Sequence, residues 1–454
     1  MVLTSDPDVR IAHSRDASGL ELVPESVARP TETDHVVDIV RAAAGMKTSV
    51  TPAGSQTSMT GASITDAGIL LSMSGMKRIV EVNSSARTAR VEPGVTIGDL
   101  NRALMETGLH FAPDPTSEND ATIGGAIACN ASGARSLRHG PTRRHVRGVT
   151  VVNADGSVTT HARSFLEKNT VGFAAVQDPV DWFVGSEGTL GVVVEAELAL
   201  VPLPTRLVGL AIPFASTSDA LNFVVAAREP SSPAAQCLEY FDLPSLAIAG
   251  TTSLRPWDDE AKAMIYLEDD AGDAAIDAVL DAWLSIAEAH RALAGDIRVF
   301  ESSQSLRDAR AMRHAVPATM NERARRFRES GGRKVSTDWS VPYRLLAHAL
   351  DVSRDAVRRH GAPEPVTYGH AGNGHPHQNF IAVDAGSLER THAAVEETLR
   401  AVFAMGGTFS AEHGLGKLKK NWLSLQLDAK QIEVMRAMKR ALDPNGIFAP
   451  GNVL

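Results

Sequence analysis

A chain of 454 residues, 43% hydrophobic and 22% charged, is long enough for two or three domains with sizeable cores and needs no disulfide staples. Acidic residues outnumber basic ones 54 to 45, a formal net charge of -9, and no long Lys/Arg run is present, which points away from nucleic acid as a partner. No stretch of roughly 18 uncharged apolar residues occurs, and the N-terminus lacks a basic-then-apolar signal pattern, so a cytoplasmic chain without a transmembrane segment is expected. Cys129 and Cys237 are too few for an iron–sulfur cluster or a disulfide framework and are expected as small buried hydrophobes.

Residues 1–205 alternate short strands with Gly-rich turns. Thr33 is a candidate cap for a helix whose apolar positions Val36, Val37, Val40, Ala43 and Ala44 follow helical spacing. Strands are expected at Ser49–Pro52, Ile69–Met73, Arg78–Val82 and Thr88–Val91, then a helix carrying Leu100, Ala103 and Leu104 behind the capping pair Thr96 and Asp99. Further strands follow at Val146–Asn153, Ser157–His161 and Gly191–Val201. This is an α+β pattern rather than a βαβ series, which disfavours a doubly wound dinucleotide fold. Pro202-Leu203-Pro204 marks a boundary. Beyond it, Leu207–Pro213, Thr217–Arg228, Ala235–Phe241, Ala263–Glu268, Asp273–His290 and Ile297–Phe300 read as β-α-β-β-α-β, a ferredoxin-like unit with its helices on one face of the sheet. A helix from Ser305 into the basic run Arg323–Arg328 has a solvated face. The division expected is 1–205, 206–425, and a segment 426–454 that returns to the first domain.

Three segments of the first domain combine Gly with small hydroxyl residues, as backbone N–H groups require to approach a pyrophosphate. They are Pro52-Ala-Gly54-Ser55-Gln56-Thr57-Ser58, then Pro113-Asp114 with Thr122-Ile-Gly124-Gly125 and Asn130-Ala-Ser132-Gly133, and Gly185-Ser-Glu187-Gly188-Thr-Leu-Gly191, which leads into the strand of Val193. Each alone also fits an ordinary loop. Later, Gly369-His370-Ala-Gly-Asn373-Gly-His375-Pro-His377-Gln-Asn379 is followed by Glu412-His413-Gly414. On an extended strand His375, His377 and Asn379 share one face, and two imidazoles with a carboxylate suit zinc or manganese with positions open for substrate.

The ordered set resembles the FAD-binding domain of the vanillyl-alcohol oxidase and para-cresol methylhydroxylase superfamily, and nearly the whole chain is similar to its branch of D-lactate, glycolate and D-2-hydroxyglutarate dehydrogenases. The resemblance implies an FAD-binding domain of the para-cresol methylhydroxylase type with a substrate or cap domain, and non-covalent FAD. Pro52 and Gly54–Ser58 would meet the pyrophosphate, Pro113, Asp114, Thr122, Gly124, Gly125, Asn130, Ser132 and Gly133 the diphosphate and ring region, and Glu187, Gly188 and Val193 the adenosine end. It further implies His370, His377 and Glu412 as ligands of a divalent metal, zinc or manganese, and Arg313 as the binder of a substrate carboxylate, to which its planar fork is suited. Asn373 and His375 stand where the family carries Asp and Asn, so His375 is either a further ligand or a neighbour of one. His139, Ala449 and Asn452 also depart from the family pattern, as does a first loop with fewer glycines.

The chemistry implied is oxidation of a small, D-lactate-like 2-hydroxy acid: the metal binds the hydroxyl, His413 takes its proton as general base, and hydride passes to flavin N5. Asn379 is placed to bond the substrate. A lysine of some relatives falls on Ser336, with Lys334 two residues away, which weighs against a dicarboxylate-selective site. The rivals are a flavin oxidase or transferase of the same superfamily acting on another substrate, a zinc hydrolase built on the histidines, and a binding module without turnover. The electron acceptor is open among a quinone, a cytochrome, an electron-transfer flavoprotein and a dye, and the assembly state, homodimer included, is open too.

Overall fold

A computed structural model of the chain describes residues 2–229, 233–250, 257–272 and 274–454. The fold is α+β and forms two compact units, one of Met1–Gly133, His139–Leu203 and Glu412–Leu454, the other of Ala134–Arg138 and Pro204–Ala411. Among the described residues no helix is long and apolar enough to cross a membrane.

In the first unit β1 (Val2–Thr4), β2 (Ser26–Arg29), β3 (Val50–Ala53) and β4 (Ile69–Ser72) form a sheet in the order β1-β2-β4-β3. The helix α1 (Thr33–Met46) connects β2 to β3 and buries Val36, Val37, Ile39, Val40 and Ala43. Its N-cap is Glu32 rather than Thr33, which is the first helical residue, and no side chain bonds the cap. A second, antiparallel sheet runs β5-β6-β10-β8-β9, from β5 (Ile79–Asn83), β6 (Thr88–Val91), β8 (Val146–Val152), β9 (Val158–Ala162) and β10 (Val192–Ala199). The apolar run expected to Val201 breaks at Leu200: β11 (Val201–Pro202) leaves this sheet and pairs with β7 (Leu109–His110). Thr96 does cap α2 (Ile97–Leu104), accepting from the Asp99 amide at 3.0 Å. The chain's end joins this unit: Val50 N–H donates to Ile447 O at 2.7 Å, Ala449 N–H to Val50 O at 2.9 Å, and Phe448 is fully buried.

The second unit is built on one seven-stranded antiparallel sheet. Its order is β15-β12-β14-β13-β17-β18-β16, from β12 (Leu207–Phe214), β13 (Cys237–Asp242), β14 (Ala263–Asp270), β15 (Arg298–Phe300), β16 (Gly331–Ser336), β17 (Val366–His370) and β18 (His375–Asp384). The two helices of the β-α-β-β-α-β run share one face, as expected, and a later helix covers the other. Phe214 packs on Phe223 of a helix at Thr217–Ala227, which meets Trp283 of a helix at Ile276–Ala289. The alternate residues Ala211 and Tyr266 instead join Leu306, Met312, Val316 and Met320 of a helix at Ser303–Arg325. Strands sandwiched in this way are apolar at every position, and Val208–Phe214 is such a run. The expected helix start, Asp273, lies outside the described residues; the observed helix begins at Ile276. The long helix starts two residues earlier than expected, at Ser303 behind its cap Ser302, and Arg323, Arg325 and Arg326 at its end are exposed.

Candidate active site

The three glycine-rich segments of the first unit converge. A Cβ on Gly54 would lie 2.2 Å from Thr122 Oγ1 and one on Gly133 2.1 Å from Asp114 O, so at these two crossings only hydrogen fits, and one on Gly188 would press on Pro52 Cδ at 3.1 Å. Thr122 caps the helix Ile123–Cys129 through the Gly125 amide, and Asn130 ends it in the left-handed region. The third segment is laced to that helix end by Gly185 N–H to Ile127 O and Glu187 N–H to Ala128 O, both 2.9 Å. Gln56, at φ 56°, reaches back to His13 O, Ser55 is exposed, Thr57 is half-buried, and Ser58 pairs with Thr60. Pro113 is buried, and Val193 is half-buried in β10. The convergence of small residues and bent backbone fits a dinucleotide-sized group lying against main chain.

Glu187 has a second task that its place in a glycine loop does not disclose. Its buried carboxylate accepts from the amides of Leu415 at 2.5 Å and Gly416 at 2.7 Å, which fixes the turn directly after Glu412-His413-Gly414. Burial pushes its carboxyl above the usual range, and those two amides oppose the shift. In the same turn His413 Nε2 lies 3.7 Å from Glu412 Oε1, and Ser132 Oγ donates to Glu412 Oε2 at 3.4 Å. Glu412 and His413 are thereby placed beside the second glycine segment.

In the second unit the tight turn Ala371–Asn373 folds β17 back on β18, so that His370 pairs in register with His375. Period-two alternation puts His375, His377 and Asn379 on one face. The rings of His370, His375 and His377 have centroids 4.6 to 5.3 Å apart, and one ligand nitrogen from each lies within 4.8 Å of the others. Gly369, at φ 127°, leaves room for the His377 ring, whose Cδ2 would be 2.9 Å from a Cβ there.

Two buried carboxylates stand beside these rings, and one of them fixes a ring by a hydrogen bond. Glu239 on β13 takes His370 Nδ1 at 2.7 Å, which leaves Nε2 as the metal-facing nitrogen, the usual carboxylate–histidine–metal arrangement. Burial alone would raise the Glu239 carboxyl, but the charges of His370 and Arg313 beside it hold it below the usual range. Asp338 lies 3.1 Å from His375 Nε2. The donor set of clustered imidazoles with carboxylate partners therefore suits a divalent cation.

Arg313 is no surface arginine: its side chain is 15% exposed, with Nε 3.4 Å from Glu239 Oε2. Both ends of the Asn379 amide are engaged, by Tyr368 Oη at 3.1 Å and Ser336 Oγ at 2.6 Å. Lys334, two residues before Ser336 on the same face of β16, is half-buried, and desolvation pushes its ammonium down to about 8.

Residues 24–161 match the family model of an FAD binding domain, and residues 203–453 match that of the C-terminal domain of FAD linked oxidases. The chain is 30% identical over 451 residues to a glycolate oxidase subunit GlcD of Bacillus subtilis, covering 98% of this chain and 92% of that one. It is 31% identical to a D-lactate dehydrogenase of Archaeoglobus fulgidus, covering 94% and 91%, and 28% identical to a D-2-hydroxyglutarate dehydrogenase of Stutzerimonas stutzeri, covering 100% and 96%. A solved alkyldihydroxyacetonephosphate synthase shares the fold, with a TM-score of 0.74 at 18% identity over 99% of this chain and 83% of that one. The chain belongs to the FAD-linked oxidoreductases of the vanillyl-alcohol oxidase and para-cresol methylhydroxylase superfamily.

Proposed function

We propose that this enzyme oxidises a small 2-hydroxy acid, of the D-lactate kind, to the corresponding 2-oxo acid, using non-covalent FAD and a divalent cation, zinc or manganese. The observation that carries the proposal is the three-histidine cluster with Glu239 fixing the tautomer of His370, in a chain that also has an FAD-binding domain. Relatives named for glycolate, D-lactate and D-2-hydroxyglutarate all act on an alcohol next to a carboxylate, which supports the substrate class. When bound, the cation acidifies a hydroxyl it holds, as zinc lowers water from about 15.7 to about 7, and the flavin accepts the hydride.

His370 and His377 would hold the cation together with Glu412, which follows Ala411 directly in the chain. Ala411 is itself tied to the Asp338 carbonyl at 2.9 Å. His375, with Nε2 3.1 Å from Asp338 and its ring against those of His370 and His377, serves as a neighbour of the ligands. His413 takes the hydroxyl proton, since an imidazole titrates near neutral pH. Arg313 offers its guanidinium to the substrate carboxylate while Glu239 balances its charge between turnovers. Asn379 exchanges its hydroxyl partners for the substrate. Gly54–Ser58, Pro113, Asp114, Thr122, Gly124, Gly125, Asn130, Ser132, Gly133, Gly188 and Val193 form the FAD cradle, with Pro52 as its floor and Glu187 contributing through backbone. Ser336, uncharged, favours a substrate without a second carboxylate.

Anaerobic bleaching of the bound flavin across a panel of D- and L-2-hydroxy acids, before and after chelation, tests this. Bleaching by short D-2-hydroxy acids, loss on chelation and recovery with zinc or manganese are expected. Flavin that bleaches equally well after chelation would exclude the metal's part, and no bleaching with any 2-hydroxy acid would exclude the substrate class. Acid precipitation should release the flavin.

A further inference from the structure

We infer that the segment from Arg163 to Gln177 is a docking surface for an anionic lipid membrane. It follows the edge strand β9 and carries Phe165, Leu166, Val171, Phe173 and Val176, with relative exposures of 72, 72, 81, 86 and 50%. So many large apolar side chains on one short stretch exceed what scattered surface hydrophobes explain.

The segment is not an unstructured tail whose side chains simply lack a place. Its base is pinned by Arg163, which donates to Val146 O at 2.7 Å and to Arg143 O at 3.0 Å and pairs with Asp178 and Asp181. Farther along, Gln177 Nε2 donates to Gly172 O at 3.2 Å, and Trp182 Nε1 to Ala175 O at 2.7 Å. These hydrogen bonds anchor the segment while its large apolar side chains stay exposed.

Charge selects the occupant. The chain as a whole carries -9, yet here Asp178 and Asp181 are paired with Arg163 and Arg143, which leaves Arg147 and Lys168 against Glu167. Arg147 lies over the Phe165 ring at 5.3 Å, a cation held against an exposed aromatic. Apolar tips flanked by long cationic side chains match a membrane interface, where rings and aliphatic groups enter the acyl boundary and the cations meet lipid phosphates. A protein–protein interface would instead exclude charge from its centre, whereas Glu167 and Lys168 sit between Leu166 and Val171. The surface is independent of the substrate assignment, and it would bring the enzyme to the phase that holds lipid-soluble electron acceptors.

Flotation of the FAD-loaded protein with phosphatidylcholine vesicles containing roughly one-third phosphatidylglycerol tests the inference. The wild type should float with these vesicles, be released by salt, and remain below with phosphatidylcholine alone. The double variant Leu166→Ser with Phe173→Ser should bind roughly ten- to hundred-fold more weakly with flavin content unchanged. Should that variant misfold, Phe173→Trp gives a second readout, a blue shift of the added tryptophan's emission on vesicle addition. Wild type that ignores anionic vesicles overturns the inference. So does a light-scattering mass that falls from dimer to monomer on substitution without any vesicle binding, since a second copy would then be the occupant.

Discussion

Replacing Glu239 by Gln separates metal orientation from packing at the centre of the site. The residue is 1% exposed, with one carboxylate oxygen 2.7 Å from His370 Nδ1 and the other 3.4 Å from Arg313 Nε. Gln keeps the shape but loses the charge, and its amide can present a donor to Nδ1, which would place the imidazole proton on the metal-facing Nε2. Loss of such an orienting carboxylate weakens metal binding by about 10- to 100-fold, or about 1.4 to 2.7 kcal/mol. A separate stability loss follows, because Arg313, at 15% exposure, loses the charge of the Glu239 carboxylate beside it. Breaking a buried pair costs about 3 to 5 kcal/mol, and the lower end applies here because the amide oxygen still accepts a hydrogen bond. Competitive zinc titration against a chelator reads the first effect, and thermal unfolding of the metal-free protein reads the second. Flavin absorbance reports that the variant is folded. A zinc affinity equal to wild type, alongside lowered thermal stability, would refute the orienting role and leave Glu239 as the partner of Arg313 alone.

His413→Asn should retain flavin and metal while slowing anaerobic flavin reduction by about 10²- to 10⁴-fold; stopped-flow rates near wild type would remove His413 from the proton transfer. Gly133→Ala should purify with little flavin, because its Cβ would fall 2.1 Å from the Asp114 carbonyl and force the two segments apart; normal flavin content would show that they can part without loss. Acid stability should follow Glu268, whose carboxyl burial would raise but which Arg310 and Arg135 hold down at about 2. Its folded value lies below its ordinary 4.5, so its contribution is present above that pH and is lost as pH falls towards about 2. Glu268→Gln should therefore lose on the order of 3 kcal/mol at neutral pH and flatten the acid limb of a melting-temperature profile. Asp242 acts in the opposite sense: burial raises it from 3.8 to about 6, so its contribution is present below 3.8 and fades as pH rises through about 6, a slope that Asp242→Asn should remove.

Most elements could be read from local pattern, because burial of one face imposes a period of two or 3.6 on the residues themselves. The alternation in Val192–Ala199, the Thr96 cap and the shared face of His375, His377 and Asn379 are of this kind. Where both faces are buried the period vanishes, and Leu207–Phe214 accordingly gave no hint that helices lie on each side of its sheet. The exposed apolar segment after β9 left no periodic signal either, since irregular backbone has no repeat to display.

The residues themselves determined which chemistry is within reach: imidazoles spaced along a strand, a carboxylate beside a further imidazole, and glycines where main chain must come close. What tertiary structure alone decided is which carboxylates stand behind those imidazoles and which charge balances Arg313. Glu239 reaches His370 across 131 positions of sequence because β13 and β17 are neighbours in the sheet. A hydrogen bond depends on distance in space, and no pattern along the chain encodes the order in which strands assemble.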